Sequence, residues 1–113
     1  MKKLLILIIV ILCVGCGKED ENVINVLNWS SYIPNSVIVD FERETNIKVN
    51  YGTYSSNEEC LAKVSSAKKG TYDLIFPSDY MIEIMITRNL IEKLDKTKLT
   101  NISNLNPVYL NQV

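Results

Sequence analysis

Val23-Ile24-Asn25-Val26-Leu27-Asn28-Trp29-Ser30-Ser31-Tyr32-Ile33-Pro34 decides how this chain folds. Val23 to Leu27 alternates apolar with polar at its start, the mark of a strand. Asn28-Trp29-Ser30-Ser31-Tyr32 closes that strand as an aromatic turn. Pro34 is a natural first residue of a helix, since its fixed φ suits the helix and its absent N–H is not needed there. The same design recurs downstream. Asp73-Leu74-Ile75-Phe76 is a short apolar run that reads as a buried central strand, and Phe76-Pro77-Ser78-Asp79-Tyr80 closes it. Strands of a parallel sheet point the same way, so the two turns share the carboxyl edge, where such sheets bind ligands. Trp29, Tyr32 and Tyr80 would then face one crevice with the hydroxyls of Ser30 and Ser78. That set suits a small, elongated organic cation better than an anion or a metal.

Between the turns the alternation continues. Val37, Ile38 and Phe41 lie on one face of a helix that runs to about Thr45. Ile47 to Tyr51 alternates as a second strand. Asn57 reads as the cap of a second helix, with Glu58 and Glu59 in its first turn and Lys68 and Lys69 in its last, as the helix dipole favours. Cys60, Leu61, Val64 and Ala67 form its buried stripe, and Gly70 stops it. Met81 to Ile86 is a third helix, apolar almost all round and expected to be well covered. Asn89 ends it, and Leu90, Ile91 and Leu94 pack the return. From Asp95 the pattern dissolves, and no internal repeat is visible. The β-α-β-α-β-α order predicts an α/β fold, a parallel sheet with helices on both faces. Three strands leave at least one edge unpaired. About 90 ordered residues make only a small core, so an incomplete domain is expected.

The first residues say where the protein works. Lys2 and Lys3 precede an unbroken apolar run, Leu4 to Val14, followed by Gly15-Cys16. A basic head, an apolar segment too short to span a bilayer comfortably and a small residue at the cut describe a secretory signal. Gly15-Cys16 resembles the lipobox of bacterial lipoproteins, in which the cysteine is lipidated and becomes the new N-terminus. Cys13 stands where that motif usually has Leu. Residues 1–15 thus read as a signal peptide and 16–22 as a lipidated N-terminus and polar tether. Residues 23–113 form the segment that carries the fold. The expected location is extracytoplasmic, in the periplasmic space or on the outer face of the membrane.

Composition excludes several classes of function. The chain has 12 basic and 13 acidic residues, and Lys2 and Lys3 leave with the signal, giving a net charge of −3. Nothing is basic enough to suggest nucleic acid. Cys13 leaves with the signal, Cys16 would be lipidated and Cys60 then has no partner, so it reads as a small apolar residue on a helix face. The chain has no His, which removes the commonest general base. No Gly-rich phosphate loop or metal-ligand cluster appears, and Ser78 has no candidate base at a sensible spacing. The chain is therefore not read as an enzyme, and no cofactor or metal is expected. Part of an extracytoplasmic hydrolase is the catalytic alternative, and a lipoprotein fragment without any ligand is another.

Four blocks carry a family resemblance. They are Leu27-Asn28-Trp29-Ser30-Ser31-Tyr32-Ile33-Pro34, Phe41-Glu42-Arg43-Glu44-Thr45-Asn46-Ile47-Lys48-Val49, Tyr72-Asp73-Leu74-Ile75-Phe76-Pro77-Ser78-Asp79-Tyr80 and Leu94-Asp95-Lys96-Thr97-Lys98-Leu99-Thr100-Asn101. In this order and spacing they resemble the spermidine/putrescine-binding proteins of ABC transporters, from about Val23 to the last residue. The resemblance implies a two-lobed, periplasmic-binding-protein-like fold with polyamine held between the lobes, and an ABC permease as partner of a monomer. It covers only the first segment of the first lobe, so a truncated member is expected. It also implies that Trp29 and Tyr32 stack on the ligand with Ser30 beside them, and that Ser78 and Tyr80 do likewise. Ser30 stands where relatives often have Thr. The main carboxylates of the family fall outside the resembling segment.

The chemistry fits such a ligand. Aromatic faces cover methylenes and attract ammonium groups, at about 0.5–2 kcal/mol per contact. Hydroxyls accept from the remaining N–H donors. Each residue also has a plainer reading. Trp29 suits a core aromatic at a strand end. Tyr32 before Ile33-Pro34 suits a staple at the helix start. Ser78 or Asp79 suits an N-cap, and capping explains Asp79 more cheaply than ammonium pairing does. Met81 and Met85, at helical spacing, read as packing.

Overall fold

A computed structural model describes residues 22–110. The signal segment, Cys16 and all of the tether but Asn22 lie outside the described residues, as do residues 111–113. Three parallel strands form one sheet, β1 Val23–Trp29, β2 Lys48–Tyr54 and β3 Leu74–Ile75, in the order β2-β1-β3. The helices are α1 Asn35–Thr45, α2 Asn57–Ser66 and α3 Asp79–Thr87, followed by three single 3₁₀ turns. The expected β/α alternation is therefore present. Right-handed crossovers leading in opposite directions from β1 and β2 put α1 and α2 on opposite faces of the sheet.

The central strand is β1, and the expectation of a buried central β3 is corrected. β1 pairs with β2 along its whole length and with β3 through Val26 and Leu27, so Val26, Leu27 and Asn28 are buried. β3 is an edge, and Leu74 is 48% exposed. Its regular pairing is short because Asp73 substitutes a side chain for part of the ladder. The Asn25 N–H donates to the Asp73 carboxylate at 2.7 Å, while the Asp73 N–H donates to the Asn25 carbonyl at 2.9 Å. Phe76 N–H then reaches the Leu27 carbonyl at 3.2 Å. The strand-like run Asp73 to Phe76 thus lies along β1 over its full length.

Helix ends differ from the sequence reading in three places. Pro34 is the N-cap of α1, with extended ψ of 142°, and helical residues begin at Asn35. Ser56, not Asn57, caps α2, its hydroxyl accepting from the Glu59 N–H at 3.1 Å. The Glu59 carboxylate reaches back to the Ser55 N–H at 2.8 Å, a relative of the capping box. The helix stops at Ser66, so Lys63 is the base of its last turn; Lys68, Lys69 and Gly70 (φ 84°) form the turn that follows. The end of α3 is as expected. Asn89 takes a left-handed φ of 54°, its N–H donates to the Ile86 carbonyl and the Leu90 N–H to that of Met85. This is a Schellman cap, and Leu90 closes it by packing back on the core.

The core sits between the sheet and the α2/α3 layer. Leu27, Tyr54, Cys60, Met81 and Met85 are each at most 2% exposed, with Trp29, Leu61, Val64, Ile75 and Leu90 packed round them. The methionine pair is packing. α3 is less covered than its apolar sequence implies, because Tyr80 and Ile86 face outward; α1 has no fully buried residue, and Val37 and Phe41 stay exposed. Among the described residues no helix is long and apolar enough to cross a membrane.

Burial gives the core an alkaline weakness. It raises the Tyr54 phenol well above its ordinary 10.0, with the neighbouring Cys60 adding to the effect. Burial likewise raises the Cys60 thiol above its ordinary 9.0. The folded state keeps both protons after an unfolded chain would have released them. Stability is therefore complete below about pH 8.5 and falls as pH rises past the ordinary values. Urea midpoints should drop between pH 8 and pH 11, and Tyr54→Phe should flatten the upper part of that fall. A midpoint independent of alkaline pH would refute this account.

Candidate functional site

At the carboxyl ends of β1 and β2 a first group of residues assembles. The backbone N–H and the hydroxyl of Ser30 both donate to the Tyr54 carbonyl, at 2.9 and 3.2 Å. The rings of Trp29 and Tyr54 meet with centroids 4.8 Å apart, tilted by 57°. Trp29 is half-buried there, one side on the core and the other on the sheet edge. The Asn28 side chain accepts from the Trp29 N–H at 2.7 Å and locks the exit from the strand. Ser31 then turns the chain with a left-handed φ of 59°, and the Tyr32 N–H donates to the Trp29 carbonyl at 3.3 Å. This turn throws Tyr32 outward, 67% exposed.

A second group assembles where the amino ends of α2 and α3 meet. Ser78 occupies the N-cap position of α3, and its carbonyl receives the N–H groups of Met81 and Ile82 at 3.0 and 3.1 Å. Its hydroxyl caps nothing. It accepts instead from the side-chain amide of Asn57 at 3.1 Å. The same Asn57 nitrogen donates to the Tyr80 hydroxyl at 3.0 Å, and the Asn57 oxygen accepts from the Ser78 N–H at 3.1 Å. The Tyr80 hydroxyl donates to Glu58 at 3.4 Å. Asp79 is the first helical residue and accepts from the Tyr80 N–H at 2.8 Å, so it is not the cap expected of it.

Tyr54 joins the two groups. Its ring lies against Trp29, and its hydroxyl donates to the Phe76 carbonyl at 2.5 Å, just before the second turn. Trp29 and Ser30 are thus brought together on Tyr54, and Ser78 and Tyr80 on Asn57. Tyr32 stands apart, with no side-chain hydrogen bond or ring contact among the described residues, so it does not staple the helix start. No hydrogen bond or ring pair joins Trp29 or Tyr32 to Tyr80; they belong to turns at the same edge of the sheet. A separate hollow, lined by Asn22, Val39, Glu42, Arg43, Asn46 and Lys48, lies at the opposite, amino edge. Its charges are already engaged, Lys48 with Glu42 and Arg43 with Asp40.

The sequence reading gives Tyr54 no role and takes Asn57 and Glu58 only as helix-start residues. A signal for Asn57 was present: Ser56 and Glu59 have the spacing of a helix start, which frees Asn57 from capping. The arrangement offers ring faces, the hydroxyl oxygens of Ser30, Ser78 and Tyr80 and one carboxylate to a ligand. Ser78 is bonded to an amide and not to a base. Among the described residues no group of acidic or sulfur side chains could hold a metal ion.

Residues 1–107 match the model of a family described as hypothetical lipoprotein, the MG045 family. The spermidine/putrescine-binding periplasmic protein of Escherichia coli (strain K12) is 46% identical over 94 residues, covering 83% of this chain and 27% of that protein. Two solved structures superpose well. The spermidine/putrescine ABC transporter substrate-binding protein of Streptococcus pneumoniae gives a TM-score of 0.73 at 38% identity, covering 80% of this chain and 28% of that one. A Treponema pallidum lipoprotein gives a TM-score of 0.65 at 41% identity, covering 72% of this chain and 25% of that one. The chain therefore spans about a quarter of the length of the relatives it matches.

Proposed function

This chain belongs to the MG045 family of lipoproteins, and from that premise we propose that it contributes a polyamine-binding surface to extracytoplasmic capture of spermidine or putrescine for an ABC permease. Membership of a lipoprotein family and the likeness to periplasmic binding proteins make it extracytoplasmic and lipid-anchored. Cys16 is the proposed point of lipid attachment. Trp29, Tyr32 and Tyr80 are the proposed ring faces, and Ser30 and Ser78 the proposed acceptors. The observation that carries the reading is the placing of two aromatic turns at one sheet edge, in a chain 46% identical to a spermidine/putrescine-binding protein. The roles follow from chemistry. A polyamine is a chain of methylenes between ammonium groups, so ring faces take the methylenes and attract the cations. Hydroxyl oxygens accept from ammonium N–H groups, which cannot be buried without partners. Binding is the whole task of such a surface, and no bond of the ligand need change.

Trp29 is the single tryptophan of the chain and so reports on the site directly. Spermidine should change its emission saturably in the millimolar range, whereas sodium chloride at matched ionic strength should not. Tyr80→Ala should weaken the response several-fold. Emission indifferent to tens of millimolar spermidine would favour a lipoprotein without a ligand.

A further inference from the structure

Asn57 is 6% exposed, stands in the first turn of α2 and has no part in capping that helix. The orientation of its amide is fixed by its neighbours. A backbone N–H can only donate, so the atom facing the Ser78 N–H at 3.1 Å must be the amide oxygen. The amide nitrogen therefore faces the two hydroxyls, and its two hydrogens go to the oxygens of Ser78 and Tyr80, at 3.1 and 3.0 Å. Each hydroxyl oxygen has two lone pairs and one proton. Asn57 takes one lone pair from each. The Tyr80 proton turns to Glu58 at 3.4 Å, which leaves one lone pair on each oxygen. Both oxygens lie where two helix starts meet, and the Tyr80 oxygen is within reach of the Glu58 carboxylate.

We infer that Asn57 is the positioning residue of this surface, holding the Ser78 and Tyr80 oxygens as a pair of acceptors for one ammonium group, with Glu58 as the adjoining negative charge. The inference rests on the polyamine reading for the identity of the ligand. The holding itself does not depend on it. A ligand head that carries only donors matches two acceptors and a carboxylate. A head that carries only acceptors, such as a carboxylate, meets the like charge of Glu58 and finds only the Ser78 hydroxyl proton as a side-chain donor. The structure thereby assigns Glu58, an apparent helix-dipole acid, to the ligand side of the turn.

The test uses the full chain with NMR-labelled tyrosine and asparagine side chains. In the wild type the Asn57 amide should give resolved signals with slowed exchange, and the Tyr80 side chain should keep a single χ1 rotamer, because bonds to its hydroxyl fix where the ring points. Asn57→Leu keeps the volume and removes all three bonds; it should free the Tyr80 ring. Spermidine-induced shifts should then vanish at Tyr80 while those at the Trp29 indole persist, a split that general loss of structure would not produce. Tyr80→Phe removes only the phenol oxygen and is the safeguard should the Leu variant fail to fold. It should shift the Asn57 amide signals and weaken the spermidine response several-fold, and Glu58→Gln should weaken it without freeing the ring. A Tyr80 side chain that averages over χ1 rotamers as freely in the wild type as in Asn57→Leu, or Asn57 signals indifferent to Tyr80→Phe, would overturn the inference. A held ring with no spermidine shift at Trp29 or Tyr80 would overturn the polyamine reading and uphold the positioning by Asn57.

Discussion

Residues 23–110, grafted in place of the matching segment of the Escherichia coli spermidine/putrescine-binding relative, should bind spermidine at least a thousandfold more tightly than the 113-residue chain does alone. The reason lies in where binding energy arises. On the open surface described here the ammonium groups stay in water. Each cation–π contact then contributes only about 0.5–1 kcal/mol, against about 2 kcal/mol or more when the pair is desolvated. Fixing a ligand costs about 4 kcal/mol at the least, so three rings and two hydroxyls barely offset it. A millimolar constant is about −4.1 kcal/mol and a micromolar one about −8.2 kcal/mol. The difference is what a covering lobe, its carboxylates and the exclusion of water must supply. Calorimetry on both proteins decides the matter. Micromolar affinity of the chain alone would show that the aromatic turns hold the energy themselves. A folded chimera that does not bind spermidine would show that Trp29, Ser30, Tyr32, Ser78 and Tyr80 do not form one half of a polyamine site.

Leu27→Ala should be the most damaging single truncation in the core. Leu27 is 1% exposed on the central strand and packs in the cluster with Tyr54, Cys60, Met81 and Met85. Its neighbour across the sheet is Gly52, where an added Cβ would lie 3.4 Å from the Leu27 side chain. A glycine offers no side chain to fill the vacated space. The loss is therefore transfer energy plus an uncollapsed cavity, about 2–5 kcal/mol. A domain of about 90 residues has only about 4–13 kcal/mol in all. The urea midpoint should fall by about 1 M or more, or the cooperative transition should disappear. Loss of less than 1 kcal/mol would mean that the core is looser than its burial implies. Trp29 emission follows the transition, since its ring rests on Tyr54 in the same cluster.

Local pattern made the order of elements readable. The alternation in Val23 to Leu27 and Ile47 to Tyr51, the left-handed Asn89 and the methionine pair all depend on neighbours within a few residues. The parallel sheet follows from that order, because strands separated by helices return in the same direction. The two aromatic turns then share an edge by topology alone, which is why Trp29, Ser30, Tyr32, Ser78 and Tyr80 could be named as candidates. The failures are also physical. Asn57 looks like a cap in isolation, since asparagine is among the best capping residues; only the competing Ser56 and the distant hydroxyls of Ser78 and Tyr80 show otherwise. Lys68 and Lys69 looked like the last turn of α2, but the helix ends where Ala67 takes an extended ψ of 155°.

What the sequence by itself determined is the type and order of β1-α1-β2-α2-β3-α3 and the sheet edge to which its aromatic turns point. Those properties arise from period, turn chemistry and the direction of a parallel crossover. Only the tertiary structure decided that β1 is the centre of the sheet, that Tyr54 ties the first turn to the second, and that Asn57 holds Ser78 and Tyr80. Strand order depends on which neighbours pair, and Asn57 bonds residues 21 and 23 positions away in the chain. Contacts at that separation leave no period in a sequence. They exist because burying a polar side chain obliges it to find partners, and the fold determines which partners are near.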